Sequence, residues 1–557
     1  MKRSHSLVPL LSLLFLHVLF IDVISGQSFE SLLRVQDNGN ENQITQAYTV
    51  AKYNEDKILV AGRFDSGNSV WDTYGYGYLA MIDQYGNVEK QKQFTDPFLT
   101  SASRIEVVSE NEIFIVSGLE FDGLVVKLDS NLNVQWSKLF GDGVSGYYDR
   151  ITSIKQTVDG NYICVGTSAT LSDSQAAIFV LKINSFGDII WSKGFGLGGD
   201  EDGADVVEIN GYFYVLGYGT GQYGYTTPYL LNINQSGDLI WGKAMQLSGG
   251  SAGSGRSLIK KKEEDKLIIA TSMNQQIVLM EMDTSGNVLW TKKYQSDFLQ
   301  SYPIIYHSVG GNYIFSSSTV NTSGGFGNIE DPIITQVNQN GDLLWSKFVV
   351  DTARYDYDWF WSGLFSNVAV TSSSIAFVGT VYDKMYYPST WEGGAAYISM
   401  YNQQGQSQCS DRFLTVEVTT PDLEIEDITA SFHIESGANS EAYFFRDTTF
   451  NVLSNIICDY NIMPEVYKFA KNVNVYPNPS NGVIYFKGDG DYLLASLTIY
   501  DVLGNELLKT YINNRDFTFS GEQLASGMYF YAVDIMAEDE KITEQSGKFI
   551  LNKNINQ

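Results

Sequence analysis

Apolar and polar positions alternate over short runs along most of the chain, and the runs arrive in sets. One set is Ile151 to Lys155, Tyr162 to Gly166 and Ile178 to Ile183. Such runs are rich in β-branched and aromatic residues and are separated by turn formers such as Asp159-Gly160-Asn161, so they predict strands. A fourth run closes each set with a fixed phrase: a Gly-Asp or Gly-Asn turn, two apolar residues, then Trp. The phrase stands at Gly187–Trp191, Gly237–Trp241, Gly286–Trp290 and Gly341–Trp345. A copy without the Gly spans Leu132–Trp136, and two copies without the Trp begin at Gly86 and Gly405. The anchor positions are therefore 90, 136, 191, 241, 290, 345 and 409, which is a period of 46 to 64 residues. Four short antiparallel strands per unit, with no amphipathic helix between units, predict a β-propeller. Seven anchors predict seven blades, with eight as the alternative. The run Phe29 to Val35 stands where a Trp-type strand belongs, ahead of the first unit, and is placed to close the ring against the last blade.

The two ends of the chain read differently. Lys2 and Arg3, the apolar stretch Leu7 to Ile24, and small Ser25 and Gly26 have the layout of a secretory signal peptide. Asp22, near its exit, argues against a retained anchor. No later stretch approaches the ~20 apolar residues that span a bilayer, so an exported chain without a transmembrane span is expected. At about residue 471 the repeat has ended. Tyr476-Pro477-Asn478-Pro479-Ser480-Asn481-Gly482 forms a rigid turn, and the short strand-like runs after it predict a small Ig-like β-sandwich. The expected fold is thus all-β: a signal peptide (1–26), a propeller (27–410), a β-rich connecting segment (411–470) and a C-terminal module (471–557). The connecting segment carries Glu424, Glu426 and Asp427 and reads as an edge extension of the last blade or as a spacer.

Charge and side-chain chemistry narrow the function. Thirty-six Lys and Arg against 64 Asp and Glu give a formal charge of −28, which argues against nucleic acid as the main partner. Three cysteines rule out a disulfide scaffold; in an oxidising compartment Cys409 and Cys458 either pair or remain two buried thiols. Once the signal peptide is gone only His307 and His433 remain, too few for a three-His metal site. A Ser-His-Asp arrangement would have to use one of these two. Gly194–Gly199 satisfies G-x-G-x-x-G, and Gly250–Ser257 mimics a phosphate loop with Arg256 in place of the Lys. No helix is expected after either, so both read as loops. Asp200, Asp202 and Asp205, with Gly203, offer oxygen ligands to Ca²⁺, although the twelve-residue calcium-loop pattern is absent and a solvated acidic loop is the simpler account.

The aromatic side chains are more informative. Trp71, Tyr357, Trp359, Trp361, Tyr387 and Trp391 fall in the long loops of the first and last units, which a closed ring places side by side. An exposed cluster there suits stacking on sugar rings or gripping a protein; the alternative is that these rings cap the seam as a private core.

Two resemblances bear on function. The repeat resembles the Gly-rich propeller repeats of secreted Bacteroidetes proteins, of the form "DG-x-Y-I-x-x-G … G-D-x-x-W". It is distantly similar to the tryptophan motif of quinoprotein propellers, but Asp283 precedes Gly286 by three residues where that motif has four, and no residue set to hold a quinone is apparent. Residues 474–552 resemble the type A C-terminal sorting domain of the type IX secretion system through "YPNPSNG", "LTIYDVLGNELL", "LASGMYFYAV" and "GKFIL". This implies recognition by an outer-membrane translocon, removal of the domain, and release or attachment at the cell surface. The function expected first is a non-catalytic surface or secreted protein binding a glycan or protein. A secreted carbohydrate-active enzyme using paired carboxylates in the propeller mouth is the second expectation, and an extracellular matrix component the third.

Overall fold

The repeat phrase is built around a side chain that precedes it. In seven turns an Asp or Asn accepts backbone N–H bonds from the residues two and four positions later: Asp83, Asp129, Asn184, Asn234, Asp283, Asn338 and Asn402. The third residue after each has positive φ; six are Gly, and Leu132, at φ 63°, takes the place in the remaining turn. The Trp of one unit then lies against the Gly of the next. A Cβ on Gly237, where φ is +85°, would meet the Trp191 ring at 3.0 Å. Trp191 Nε1 donates to the Gln235 carbonyl at 2.9 Å in that same turn, and Trp136 does likewise to Ser185 at 3.1 Å. Trp191→Ala is expected to cost about 2–4 kcal/mol in urea unfolding, whereas Ile190→Ala beside it, at an exposed position, should stay within about 0.5 kcal/mol.

In the computed structural model the chain divides into two compact units, Met1–Asn461 and Ile462–Gln557. The structure describes the strands from Phe29 to Leu551 and most of their short turns. Residues 1–28, 37–43, 66–75, 95–103, 142–148, 321–331, 350–358, 362–367, 387–389, 407–413, 460–472 and 477–482, with some shorter connecting segments, lie outside the described residues.

The first unit is all-β, largely antiparallel and propeller-like. Sheet I contains Ile44–Lys52, Lys57–Asp65, Tyr76–Asp83 and Val88–Phe94. Sheet II contains Arg104–Ser109, Glu112–Leu119, Asp122–Leu128 and Val134–Gly141. Sheet III contains Arg150–Gln156, Tyr162–Ser168, Ala177–Ile183 and Ile189–Gly196. Sheet IV contains Glu201–Ile209, Tyr212–Gly219, Thr227–Ile233 and Leu239–Leu247. Sheet V contains Gly253–Lys260, Lys266–Met273, Gln276–Asp283 and Val288–Gln295. Sheet VI contains Leu299–His307, Tyr313–Val320, Pro332–Val337 and Leu343–Phe348. Sheet VII is composite: Val368–Val370, Ser374–Tyr382 and Gly394–Asn402 are completed by the N-terminal strand Phe29–Gln36, which pairs with the last unit. Apolar side chains fill the space between consecutive sheets. Leu59 and Leu79 of sheet I pack with Ile113 and Leu124 of sheet II. Ile314 and Ile334 of sheet VI pack with Phe377 and Tyr397 of sheet VII, and Val378 and Ile398 of sheet VII pack with Val50 and Val60 of sheet I.

The connecting segment is a strap. It adds an outer antiparallel strand to six sheets, visited in reverse chain order. Glu417–Thr419 pairs with sheet V, Leu423–Asp427 with sheet IV and His433–Glu435 with sheet III. Asn439–Ala442 pairs with sheet II, Asp447–Thr448 with sheet I and Asn451–Asp459 with the N-terminal strand of sheet VII. Before these, the Leu414 amide donates to the Ser346 carbonyl of sheet VI at 2.8 Å. The segment is therefore an edge extension of six sheets rather than of the last one alone.

The second unit holds two antiparallel sheets. One orders Val473–Tyr476, Val483–Gly488 and Asp516–Ser520; the other orders Glu506–Ile512, Leu494–Tyr500, Gly527–Met536 and Ile542–Leu551. Leu497, Ile499, Phe549 and Leu551 are buried, and Tyr529 stacks on Phe549 with centroids 5.6 Å apart.

Candidate binding site at the ends of the first strands

The first strands of sheets III, IV and V each carry a bulge, between Ile151 and Ser153, Gly203 and Asp205, and Gly255 and Ser257. A bulge adds one residue to a strand and re-aims the neighbouring side chains. Ser153, Asp205 and Ser257 follow the bulges and meet: Ser153 Oγ donates to Asp205 at 2.8 Å, and Ser257 Oγ does so at 3.3 Å. Arg104, from the first strand of sheet II, reaches the same carboxylate at 2.5 Å and Ser153 Oγ at 3.0 Å. The Asp205 carboxylate also accepts the Val206 and Leu258 amides at 3.0 and 3.1 Å. Both charged groups are buried. Burial alone would raise the Asp205 pKa, but Arg104, Lys155 and the hydrogen bonds outweigh it and hold the carboxyl below its ordinary range.

A second, more open cluster lies toward the beginnings of these first strands, the end of the sheets that also bears the connections between second and third strands. Arg150 pairs with Asp202 at 2.9 Å, and Thr167 Oγ1 donates to Asp202 at 2.6 Å. Tyr218 hydrogen-bonds both Asp202 and Arg150. Its pKa is raised, chiefly by burial. The other face of the cluster is Arg256, the bulged residue of sheet V, with its guanidinium carbon 4.5 Å from the ring centroids of both Tyr218 and Tyr302. Tyr302 holds φ at 57°, an uncommon conformation for a bulky residue, and lies in the register shift of the first strand of sheet VI.

The three aspartates singled out for Ca²⁺ do not converge. Asp200 is exposed, Asp202 is held by Arg150, and Asp205 is held by Arg104. Among the described residues no three His, Cys, Asp or Glu side chains are grouped as a cation site requires. Asp200 precedes the strand that carries the other two, and Asp202 and Asp205, on either side of the bulge, are each taken by a different arginine. Of the aromatic residues, Trp71, Tyr357 and Tyr387 lie outside the described residues. The backbones of Trp359 and Trp361 pair with Tyr382 and Thr380 at one end of sheet VII, and Trp391 pairs with Met385.

Other motifs resolve locally. The amides of Leu197 and Gly199, in the G-x-G-x-x-G stretch, donate to buried Glu201 at 3.1 Å each, so the chain's own carboxylate occupies them. Cys164 is a buried free thiol, and Cys409 lies outside the described residues. His433 is exposed on the strap; burial lowers the pKa of His307, with Lys262 adding to it. Sequence reasoning missed Arg104, Arg150, Tyr218 and Tyr302. Their signal was available only as the 52-residue interval that brings Ser153, Asp205 and Ser257 to one place.

Residues 474–556 match the secretion system C-terminal sorting domain. The C-terminal unit carries a secretion sorting domain. This domain directs the chain through the type IX translocon to the cell surface or beyond. No helix among the described residues is long and apolar enough to cross a membrane. No curated protein matches the chain. Among solved structures, the Dos1 propeller is 10% identical with a TM-score of 0.37, over 70% of this chain and 99% of that one. A protein from Lactobacillus plantarum is 11% identical with a TM-score of 0.36, over 57% and 94%. A protein of unknown function from Bacteroides caccae is 11% identical with a TM-score of 0.34, over 54% and 96%. Likenesses this slight transfer no activity from those proteins to the chain that precedes the sorting domain.

Proposed function

We propose that the first unit is a closed seven-bladed propeller that serves as a non-catalytic binding protein on the cell surface or in the surroundings, delivered there by an Ig-like sorting sandwich. Support for closure comes from the composite seventh sheet, the core it shares with sheet I, and the one-residue bridge between Ile44 and Gly394. The observation that carries the binding role is the cluster formed by Arg150, Asp202, Tyr218, Arg256 and Tyr302, drawn from four successive sheets onto one end of the propeller. Its acid is tied to a guanidinium, an arrangement suited to holding polar groups rather than to passing protons. The aromatic residues Trp359, Trp361 and Trp391, whose backbones pair with Tyr382, Thr380 and Met385, are proposed as a second contact area.

The full chain is to be screened on glycan and protein arrays. Binding that Tyr218→Ala weakens at least about tenfold, roughly the worth of one good polar or stacking contact, is the expected result. Time-dependent cleavage of an arrayed glycan would replace the binding role with an enzymatic one, and silence on every array would remove it.

A further inference from the structure

Arg256 is a cation without a carboxylate partner among the described residues, in a chain of net charge −28. Its Nε donates to Ser254 Oγ at 3.2 Å, its guanidinium carbon lies 4.5 Å from the ring centroids of both Tyr218 and Tyr302, and it is half-buried. Among the described residues no Asp or Glu forms an ion pair with it, whereas neighbouring Arg150 and Arg104 each have one. Two rings against the guanidinium restrain it, and with Nε given to Ser254 its two Nη groups form the edge left for a ligand. Such an edge matches a carboxylate, which takes two parallel N–H bonds.

We propose that Arg256 is an anion-recognition site for a sugar acid, a deepening that rests on the binding role above. The guanidinium edge takes the sugar carboxylate. Asp202, at the hydroxyl end of the Tyr218 ring whose face carries Arg256, accepts from sugar hydroxyls with the lone pairs Arg150 and Thr167 leave open. A discrete acid group fits better than a densely charged polymer, because the surrounding excess of negative charge repels every further anion that the ligand carries. The sequence places Arg256 in a glycine-rich stretch resembling a phosphate loop, but the residues Gly253–Lys260 are a strand. Without a helix N-terminus, the site offers a flat guanidinium rather than a phosphate cradle.

The test titrates the full chain with D-galacturonate, with D-galactose and with N-acetylglycine, following heat of binding and the Nε–H resonance of Arg256 in protein labelled with ¹⁵N-arginine. Galacturonate is expected to shift that resonance and to bind at least about tenfold tighter than galactose, the difference one charge-assisted pair makes. Arg256→Gln should remove the discrimination without lowering the unfolding midpoint, and Arg256→Lys should restore only part of it. Equal binding of galacturonate and galactose, or discrimination that survives Arg256→Gln, overturns the assignment. Tighter binding of N-acetylglycine overturns the sugar in favour of a peptide carboxylate. The binding role fails separately: silent arrays with galacturonate still bound would leave the site and remove the surface function. Array signal unchanged in Arg256→Gln would remove the site and leave the function.

Discussion

Arg104→Ala is expected to destabilise the first unit by about 3–5 kcal/mol, since it strands the Asp205 carboxylate in the interior. The hydrogen-bond partners left to Asp205 are Ser153, Ser257 and two amides; they satisfy lone pairs but supply no charge, and Lys155, the remaining cation, acts on it without a direct pair. Asp205→Ala should cost about as much, for the complementary reason that Arg104 is then buried alone. The pair itself is worth far less than either loss, so Arg104→Met with Asp205→Leu should recover most of the stability. The pH dependence has a definite sign. The folded pKa of Asp205 is depressed, so its contribution is fully present above the ordinary unfolded value of about 3.9 and is lost as pH falls through the folded value. Urea unfolding at pH 7 and at pH 3 checks both effects. The wild-type chain should lose stability over that interval, and the double variant should lose less. A cost below about 1 kcal/mol for Arg104→Ala would show that water reaches the pair.

The repeat could be read in the chain because its most recognisable residues touch each other. Trp191 rests on Gly237 and donates to Gln235, so Trp and Gly recur together at a fixed step. The Asx residue that builds each turn stood out at Asp283 but did not read as part of the repeat, because the position alternates between Asp and Asn, as in Asp283 and Asn234. The strap was illegible for a different reason. His433–Glu435 and Glu417–Thr419 are three residues each, too short for a period-two pattern to rise above chance. They also sit on a solvated edge where polar and acidic side chains are tolerated. The polar cluster was illegible because no two of its key residues are close in the chain. Arg104 and Asp205 are 101 residues apart, and only the packing of successive sheets makes them partners. Asp200, Asp202 and Asp205 gave the opposite illusion: proximity in sequence suggested one site, but Asp202 and Asp205 are taken by two different arginines.

Replacing residues 414–459 by a Gly-Ser linker of equal length is expected to leave the sheets formed but make the first unit associate. Removing the strap bares the outer strand of six sheets, and unpaired edges recruit other edges. The strap also contributes to the interior. Phe432 meets Phe195 and Tyr229 edge-on, with centroids 6.5 Å away in each case. It fills a slot that exists only because residue 242 is Gly, where a Cβ would stand 2.6 Å from the Phe432 ring. Phe432→Ala should therefore cost about 2–4 kcal/mol. Gly242→Leu should cost a comparable amount by expelling the ring rather than deleting it, and the two losses should not add, because they remove the same contact. Sedimentation velocity across a tenfold concentration range reads the association, and urea unfolding reads the two point variants. A linker variant that stays monomeric with an unchanged unfolding midpoint would mean that the outer strands protect themselves. The strap would then be a tether to the sorting domain and nothing more.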